Sequence, residues 1–268
     1  MINGRDFEGQ VVVVTGASSG LGRAICVEVA SRGAATVVIN YSSNLEGAQQ
    51  TEMEVEQLGA APIVVQGDVG EMSDCEKIVA AAGSAGHINV LFNNAGVTTF
   101  SANHGDLKAV SAEDFVRIYR VNVIGAYQMI CAAQPLLEKS PEPSAVVNTT
   151  SLAGVAGIGS SLPYACSKGA LTTMTLSLAR SLGPLIRVNA IAPGFIDTDW
   201  YANDLSSEEI EQRRRKIAAS TPLQVASSAE DLAGAAVFLG SRAARHITGE
   251  TLLADAGLHL NFAPLKMS

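Results

Sequence analysis

QVVVVTGASSGLGRAICVEVA, residues 10–30, runs a valine strand into a glycine loop and then into a helix-patterned segment without a break. The valine run does not alternate polar with apolar residues. Strands of that kind are covered on both faces, as in parallel sheets. TGASSGLG at 15–22 joins strand to helix, which is the context that gives a glycine fingerprint meaning. Gly16 suits the tight turn, Gly20 lets the backbone approach a pyrophosphate, and Gly22 allows close helix–sheet packing. Free N–H groups and the helix dipole at that point favour phosphate charge. Taken alone, a plain glycine turn would read the same way.

The alternation continues along the chain. Short apolar runs stand at 10–15, 35–40, 62–67, 88–92, 144–149, 186–191 and 250–254. Helix-patterned stretches at 20–32, 45–59, 72–85, 111–138, 162–183 and 228–240 separate most of them. Alternating strands and helices imply right-handed crossovers and a doubly wound α/β parallel sheet. No repeat of solenoid period and no linker interrupts it, so residues 1–268 are expected to form one domain. Residues 195–220 are a polar insertion with their own helix, SSEEIEQRRRKIAAS, placed to act as a flap over a site. Its basic run reads as a solvated face, with Glu209–Arg213 and Glu211–Arg215 at i,i+4 spacing.

Composition narrows the function. A net charge of -8 argues against nucleic acid as a partner, because phosphate neutralisation needs a basic surface. MINGRDFEGQ at the amino terminus has no apolar signal core, and no apolar run is long enough to span a bilayer. Cys26, Cys75, Cys131 and Cys166 lack CxxC spacing, which suits reduced thiols in a cytoplasmic protein. The four histidines are dispersed, with no metal-ligand cluster.

Chemistry concentrates in VNTTSLAGVAGIGSSLPYACSK, residues 147–168. On a helix over 162–183, Tyr164 and Lys168 share one face, one turn apart. A phenol with a pKa near ~10 is a poor acid–base group at neutral pH. An ammonium about 4 Å away, at an effective dielectric near 20, attracts the phenolate by ~4 kcal/mol, enough to bring it towards neutrality. The phenol could then give a proton to a forming alkoxide or take one from an alcohol. The Ser151 hydroxyl could hold a carbonyl oxygen. NNAG at 93–96 and Asp68 in GDV follow strands at the sheet end where α/β folds bind ligands. Asp68 would accept from an adenine amino group or cap a helix or turn, and NNAG, taken alone, reads more readily as a turn.

TGASSGLG, NNAG, Asn122 in VNV, Ser151, YACSK and APG, in this order, resemble the classical short-chain dehydrogenase/reductase family from about Gln10 to Leu260. The resemblance implies a seven-stranded Rossmann-type sheet and a catalytic tetrad of Asn122, Ser151, Tyr164 and Lys168. Tyr164 would be the acid–base, Ser151 would orient the substrate oxygen, and Lys168 would also hold the nicotinamide ribose. Asn122 would support a water linking Lys168 to solvent. Coenzyme contacts would come from Gly16, Ser18, Ser19, Gly20, Leu21, Gly22 and Arg23. Further contacts would come from Asn40, Tyr41, Ser42, Ser43, Asp68, Val69, Asn94, Ala95 and Gly96. Pro193, Gly194, Ile196 and Thr198 would flank the nicotinamide. A homotetramer is implied, with helices 111–138 and 162–183 pairing through residues such as Phe115, Ile118, Val121, Leu171, Met174 and Leu178. Three departures are visible: Asp255-Ala256-Gly257 where the family has DGG, a short SLGPLIRVN loop that could shift the strand start, and Cys166 between Tyr164 and Lys168.

The stretch from Ile39 to Asn44 carries no acid to bind both ribose hydroxyls. NADP(H) is therefore favoured, Asn40 leaving room for the 2′-phosphate, Ser42 and Ser43 bonding it and Arg23 adding charge. NAD(H) remains open, because no Lys or Arg lies in 40–50. The substrate is expected to be a small carbonyl compound or alcohol, such as a 3-oxoacyl thioester. It would meet 97–101, 152–160 and 195–215, with Phe100, Trp200 and Tyr201 as an apolar wall. The alternatives are an NAD-linked alcohol or sugar dehydrogenase, a sugar-nucleotide epimerase or dehydratase of the extended branch, for which the chain is short, and a nucleotide-sensing scaffold without chemistry.

Overall fold

The computed structural model describes residues 4–101, 103–197 and 206–260. Seven parallel strands form the main sheet: β1 (Val11–Val14), β2 (Thr36–Tyr41), β3 (Ala61–Gln66), β4 (Val90–Asn93), β5 (Ser144–Thr149), β6 (Ile186–Pro193) and, last in sequence, β9 (Thr251–Ala254). Their spatial order is β3-β2-β1-β4-β5-β6-β9. β7 (Ile196–Asp197) and β8 (Ser227–Ser228) form a separate two-stranded pair. The helices are α1 (Gly20–Ser31), α2 (Leu45–Gln57), α3 (Met72–Ala81), α4 (Ala112–Tyr119), α5 (Ala126–Leu137), α6 (Leu152–Ala156), α7 (Leu162–Leu182), α8 (Ser207–Ser220) and α9 (Ala229–Gly240).

The valines of β1 explain the layering. Successive strand side chains point to opposite faces. Val12 and Val14 join a core with Ile25 and Val29 of α1, Val55 of α2 and Leu232 of α9. Val11 and Val13 join another with Ile78 of α3, Met129 and Ile130 of α5 and Ala179 of α7. The sheet is thus covered on both faces, as the uniform apolar run predicts. Strand order reverses between β1 and β4, whose register pairs Val14 with Phe92. The crevice at such a reversal, beyond the carboxyl ends of the strands, is where open α/β sheets hold ligands.

Two expectations change. The helix expected over 111–138 is divided: α4 and α5 are joined by one wider π-helical segment, Arg120–Gly125, which carries Asn122. Apolar residues run almost continuously through RVNVIG and AYQMI, so periodicity does not mark it. The second change is α6, a five-residue helix inside the Ser/Gly stretch, where no helix was expected. Strand β6 starts at Ile186 despite the short loop before it, where Gly183–Pro184 is cis.

Candidate active site

The glycine loop after β1 is built as its spacing demands. Gly16 (φ 61°) and Gly20 (φ 52°) occupy the left-handed region that favours glycine. A Cβ on Gly22 would lie 2.3 Å from Gly16 O and 2.6 Å from Asn94 Nδ2. Asn94 donates from Nδ2 to Thr15 O (3.2 Å) and Gly16 O (3.1 Å), so the loop after β4 clamps the loop after β1. Thr15 Oγ1 accepts from the Asn94 and Ala95 amides, each at 3.0 Å. Thr15 stands at the head of the motif and was not among the expected site residues. Its place directly after the strand was the available signal.

Ser19 is the N-cap of α1, but its side chain caps no amide, and the first turn holds no acid. Ser18 offers its carbonyl to the Arg23 guanidinium at 2.9 Å, and Leu21 is packed in the core. Arg23 also donates to Gly47 O and Thr51 Oγ1, stitching the loop to α2. Much of its donor capacity is thus already used within the protein.

Asn40 is placed differently from expectation. It is 1% exposed. Its Nδ2 donates to Tyr41 O, Val65 O and Gly67 O, and its Oδ1 accepts from Gly16 N at 3.3 Å. The amide ties three strand ends together instead of facing a ribose. Tyr41 is also buried, whereas Ser42 and Ser43 are exposed. Asp68 uses Oδ1 to accept from Gly70 N and Oδ2 to accept from Arg120. Val69 is buried beside it, under Gly125.

The tetrad candidates come from β5, α6, α7 and the π segment. Ser151 lies two residues beyond β5 as the N-cap of α6, its Oγ accepting from Ala153 N at 3.1 Å. Tyr164 is half-buried in the first turn of α7, and Lys168 is one turn on. Lys168 is 3% exposed, and its Nζ donates to Thr149 O at 2.7 Å. The ammonium sits 5.6 Å from the centre of the Tyr164 ring. Burial holds the Lys168 pKa down to about 8. Asn122 is 1% exposed: Oδ1 accepts from Val97 N, while Nδ2 donates to Val97 O and Ser167 Oγ. Gly96 leaves the space between them open, because a Cβ there would lie 3.4 Å from Asn122 Oδ1 and 3.5 Å from Lys168 Nζ. Ser167, which bonds Tyr164 O at 2.7 Å, is a second residue that sequence reasoning missed, although it is the neighbour of Lys168.

One rim of the crevice joins the loop after β4 to the loop after α6. Thr98 Oγ1 meets Ser160 Oγ at 2.5 Å, and Ser101 N donates to Ser160 O at 2.8 Å. Phe100, Val155 and Ile158 are exposed there. On the other side, Pro193 ends β6, Gly194 packs against Asp255, and Ile196 starts β7. Arg214 of α8 pairs with Asp197, and Glu211 with Arg215. Glu209 closes a capping box with Ser206. Thr198, Trp200 and Tyr201, expected at this rim, lie outside the described residues. Cys166 is exposed on α7. Among the described residues no His, Cys, Asp or Glu cluster could hold a metal, and no helix is long and apolar enough to cross a membrane.

A family model described as enoyl-(acyl carrier protein) reductase matches residues 16–259. A Streptomyces violaceoruber chain, provisionally named ketoacyl reductase 2 of granaticin polyketide synthase, is 39% identical over 254 residues, covering 94% of this chain and 97% of its own. An L-rhamnose 1-dehydrogenase (NAD(P)(+)) of a Sphingomonas strain is 35% identical, covering 95% and 98%. A solved structure from Burkholderia xenovorans, provisionally titled a short-chain dehydrogenase/reductase, superposes with a TM-score of 0.86 at 38% identity, covering 94% of this chain and 98% of its own. The chain belongs to the short-chain dehydrogenase/reductase family of oxidoreductases.

Proposed function

We propose that this protein reduces a ketone, such as a 3-oxoacyl thioester, to a secondary alcohol, with NADP(H) as the favoured coenzyme and Tyr164 as the proton donor. The observation that carries the reading is the buried Lys168 ammonium beside the Tyr164 ring. A cation in that position favours the phenolate, and so tunes the phenol to exchange a proton near neutral pH. Ser151 holds the substrate oxygen, and Asn122 fixes the π segment between the Val97 backbone and Ser167.

The residues fit a dinucleotide. The uncapped first turn of α1 presents backbone amides for a pyrophosphate. Gly22 lets Gly16 O and Asn94 Nδ2 close onto the start of α1, where a Cβ would not fit, and so shapes the loop that would meet the phosphates. Asn94, Ala95 and Gly96 line the adenosine side, with Asp68 at the adenine end and exposed Ser42 and Ser43 near the ribose. Pro193, Gly194 and Ile196 flank the nicotinamide side. The nicotinamide ring, when bound, supplies or takes up the hydride. This chain's residues position the carbonyl, hold the proton at the Tyr164 oxygen and keep the Lys168 ammonium in place. The whole chain acts as one catalytic domain, with 195–220 as its flap.

The rhamnose dehydrogenase relative supports a second reading, oxidation of a sugar or related alcohol with either coenzyme. A panel of 3-oxoacyl thioesters, simple ketones and aldoses, run with NADPH, NADH and the oxidised forms, separates the two. Turnover confined to aldoses would overturn the ketone assignment. No coenzyme-dependent turnover in any arm would overturn the enzymatic reading.

A further inference from the structure

The segment 68–74, which leads from β3 into α3, is unusually acidic for the edge of a site proposed to hold an anionic coenzyme. Asp68, Glu71 and Asp74 follow β3 within seven residues. Arg120, the first residue of the π segment, faces this loop. Its NH2 lies 2.6 Å from Asp68 Oδ2 and 2.9 Å from Glu71 Oε1. Gly70 leaves the space for it, since a Cβ there would come within 2.7 Å of Arg120 Nε. The far end of the π segment docks on the same loop: a Cβ on Gly125 would lie 2.7 Å from Val69 Cγ2. Between these two anchors sits Asn122.

The Asp68 carboxylate is held from both sides, Gly70 N donating to Oδ1 at 2.8 Å and Arg120 to Oδ2. Each oxygen keeps a further lone pair, and the side chain is 43% exposed. A carboxylate fixed in this way accepts best from a donor placed near its own plane.

We propose that Arg120 is a positioning residue for coenzyme recognition: it orients Asp68 to accept from the 6-amino group of adenine. Its charge also offsets those of Asp68 and Glu71 beside the anionic coenzyme. The inference rests on the reading of this crevice as the coenzyme site.

The test compares NADPH with reduced nicotinamide hypoxanthine dinucleotide phosphate, in which an oxo group replaces the amino group. An oxo group facing a carboxylate loses the bond and meets a like partial charge. The parent should prefer NADPH in kcat/KM by roughly tenfold or more, the worth of one charge-assisted hydrogen bond. Asp68→Ala and Arg120→Ala should each reduce the preference to about threefold or less, and Arg120→Lys should restore part of it. Should Arg120→Ala fail to fold, Arg120→Gln carries the same expectation. A merely structural role would lower both coenzymes alike and leave the ratio unchanged. A ratio that collapses in Asp68→Ala but persists in the Arg120 variants overturns the role of Arg120 and leaves the adenine reading standing. A parent without preference, or an Asp68→Ala ratio equal to the parent's, overturns both.

Discussion

Lys168 carries a charge where the protein offers it one carbonyl and little water. Its pKa is held near 8 by burial, whereas the unfolded lysine keeps its proton to about 10.5. Between those values the unfolded chain binds more protons, so the unfolding free energy rises with pH across that window. Below pH 8 both states are protonated and the penalty is present in full. Lys168→Met should remove up to roughly 3 kcal/mol of that pH dependence in the ligand-free protein, measured by denaturant unfolding between pH 7 and pH 10. An unchanged slope would mean that the ammonium is not desolvated. Tyr164→Phe removes a proton donor without changing shape. It should keep coenzyme binding within about threefold and lower kcat by at least ~100-fold. Rapid turnover by that variant would refute the proposed acid–base role. Tyr164 and Lys168 were legible in the sequence because their relation is local, one turn of one helix. Asn40 was not, because its distant partners lie at the ends of two other strands, β1 and β3.

Elements hold these residues through contacts that spacing reports unevenly. The glycine loop reads correctly because each glycine answers a local steric demand. Gly22→Ala would drive a methyl group onto a backbone oxygen of the same loop. It should cost roughly 1–3 kcal/mol of stability and weaken coenzyme binding at least tenfold, as read by thermal unfolding and coenzyme fluorescence titration. The π segment was illegible, since its i→i+5 hydrogen bonding leaves no composition signal such as a Pro or Gly pair in RVNVIG. Strand β2 revises the coenzyme argument. An Asp at position 40 would place a carboxylate against three carbonyl oxygens in a buried site. Asn40→Asp should therefore destabilise the fold by a few kcal/mol instead of switching coenzymes. Preference should respond at the exposed end of the strand, where Ser42→Asp should move the kcat/KM ratio towards NAD(H) by tenfold or more. A ratio unmoved in Ser42→Asp would place the 2′-phosphate elsewhere.

At the scale of the molecule, the sheet satisfies both of its faces, and several large apolar side chains stay exposed on the helices around the site. The residues expected to pair across an interface divide into two sets. Ile118 and Leu171 are fully packed inside the subunit, while Phe115, Val121, Met174 and Leu178 are only partly covered. The exposed apolar residues on the same elements are Val116 (70%) on α4, Ile124 (49%) in the π segment, Tyr127 (51%) on α5 and Leu176 (50%) on α7. Helical periodicity marks an apolar face but does not say whether the face meets the subunit's own sheet or a neighbour, and α7 has apolar residues on both sides. Four large apolar side chains left in water on adjoining elements resemble the core of an association surface more than the scattered singles of a monomer. We propose that α4, the π segment, α5 and α7 pair with their counterparts in a homotetramer. Because the π segment lies in that surface, assembly would brace the element that carries Asn122. Tyr127→Glu and Leu176→Arg each put a charge where the pairing would exclude water. Light scattering at micromolar concentration should show the parent at four chains and both variants at two or one. The variants should also lose kcat before they lose coenzyme binding. A parent with the mass of one chain would reject the assembly, and dissociated variants with full kcat would reject the bracing of Asn122.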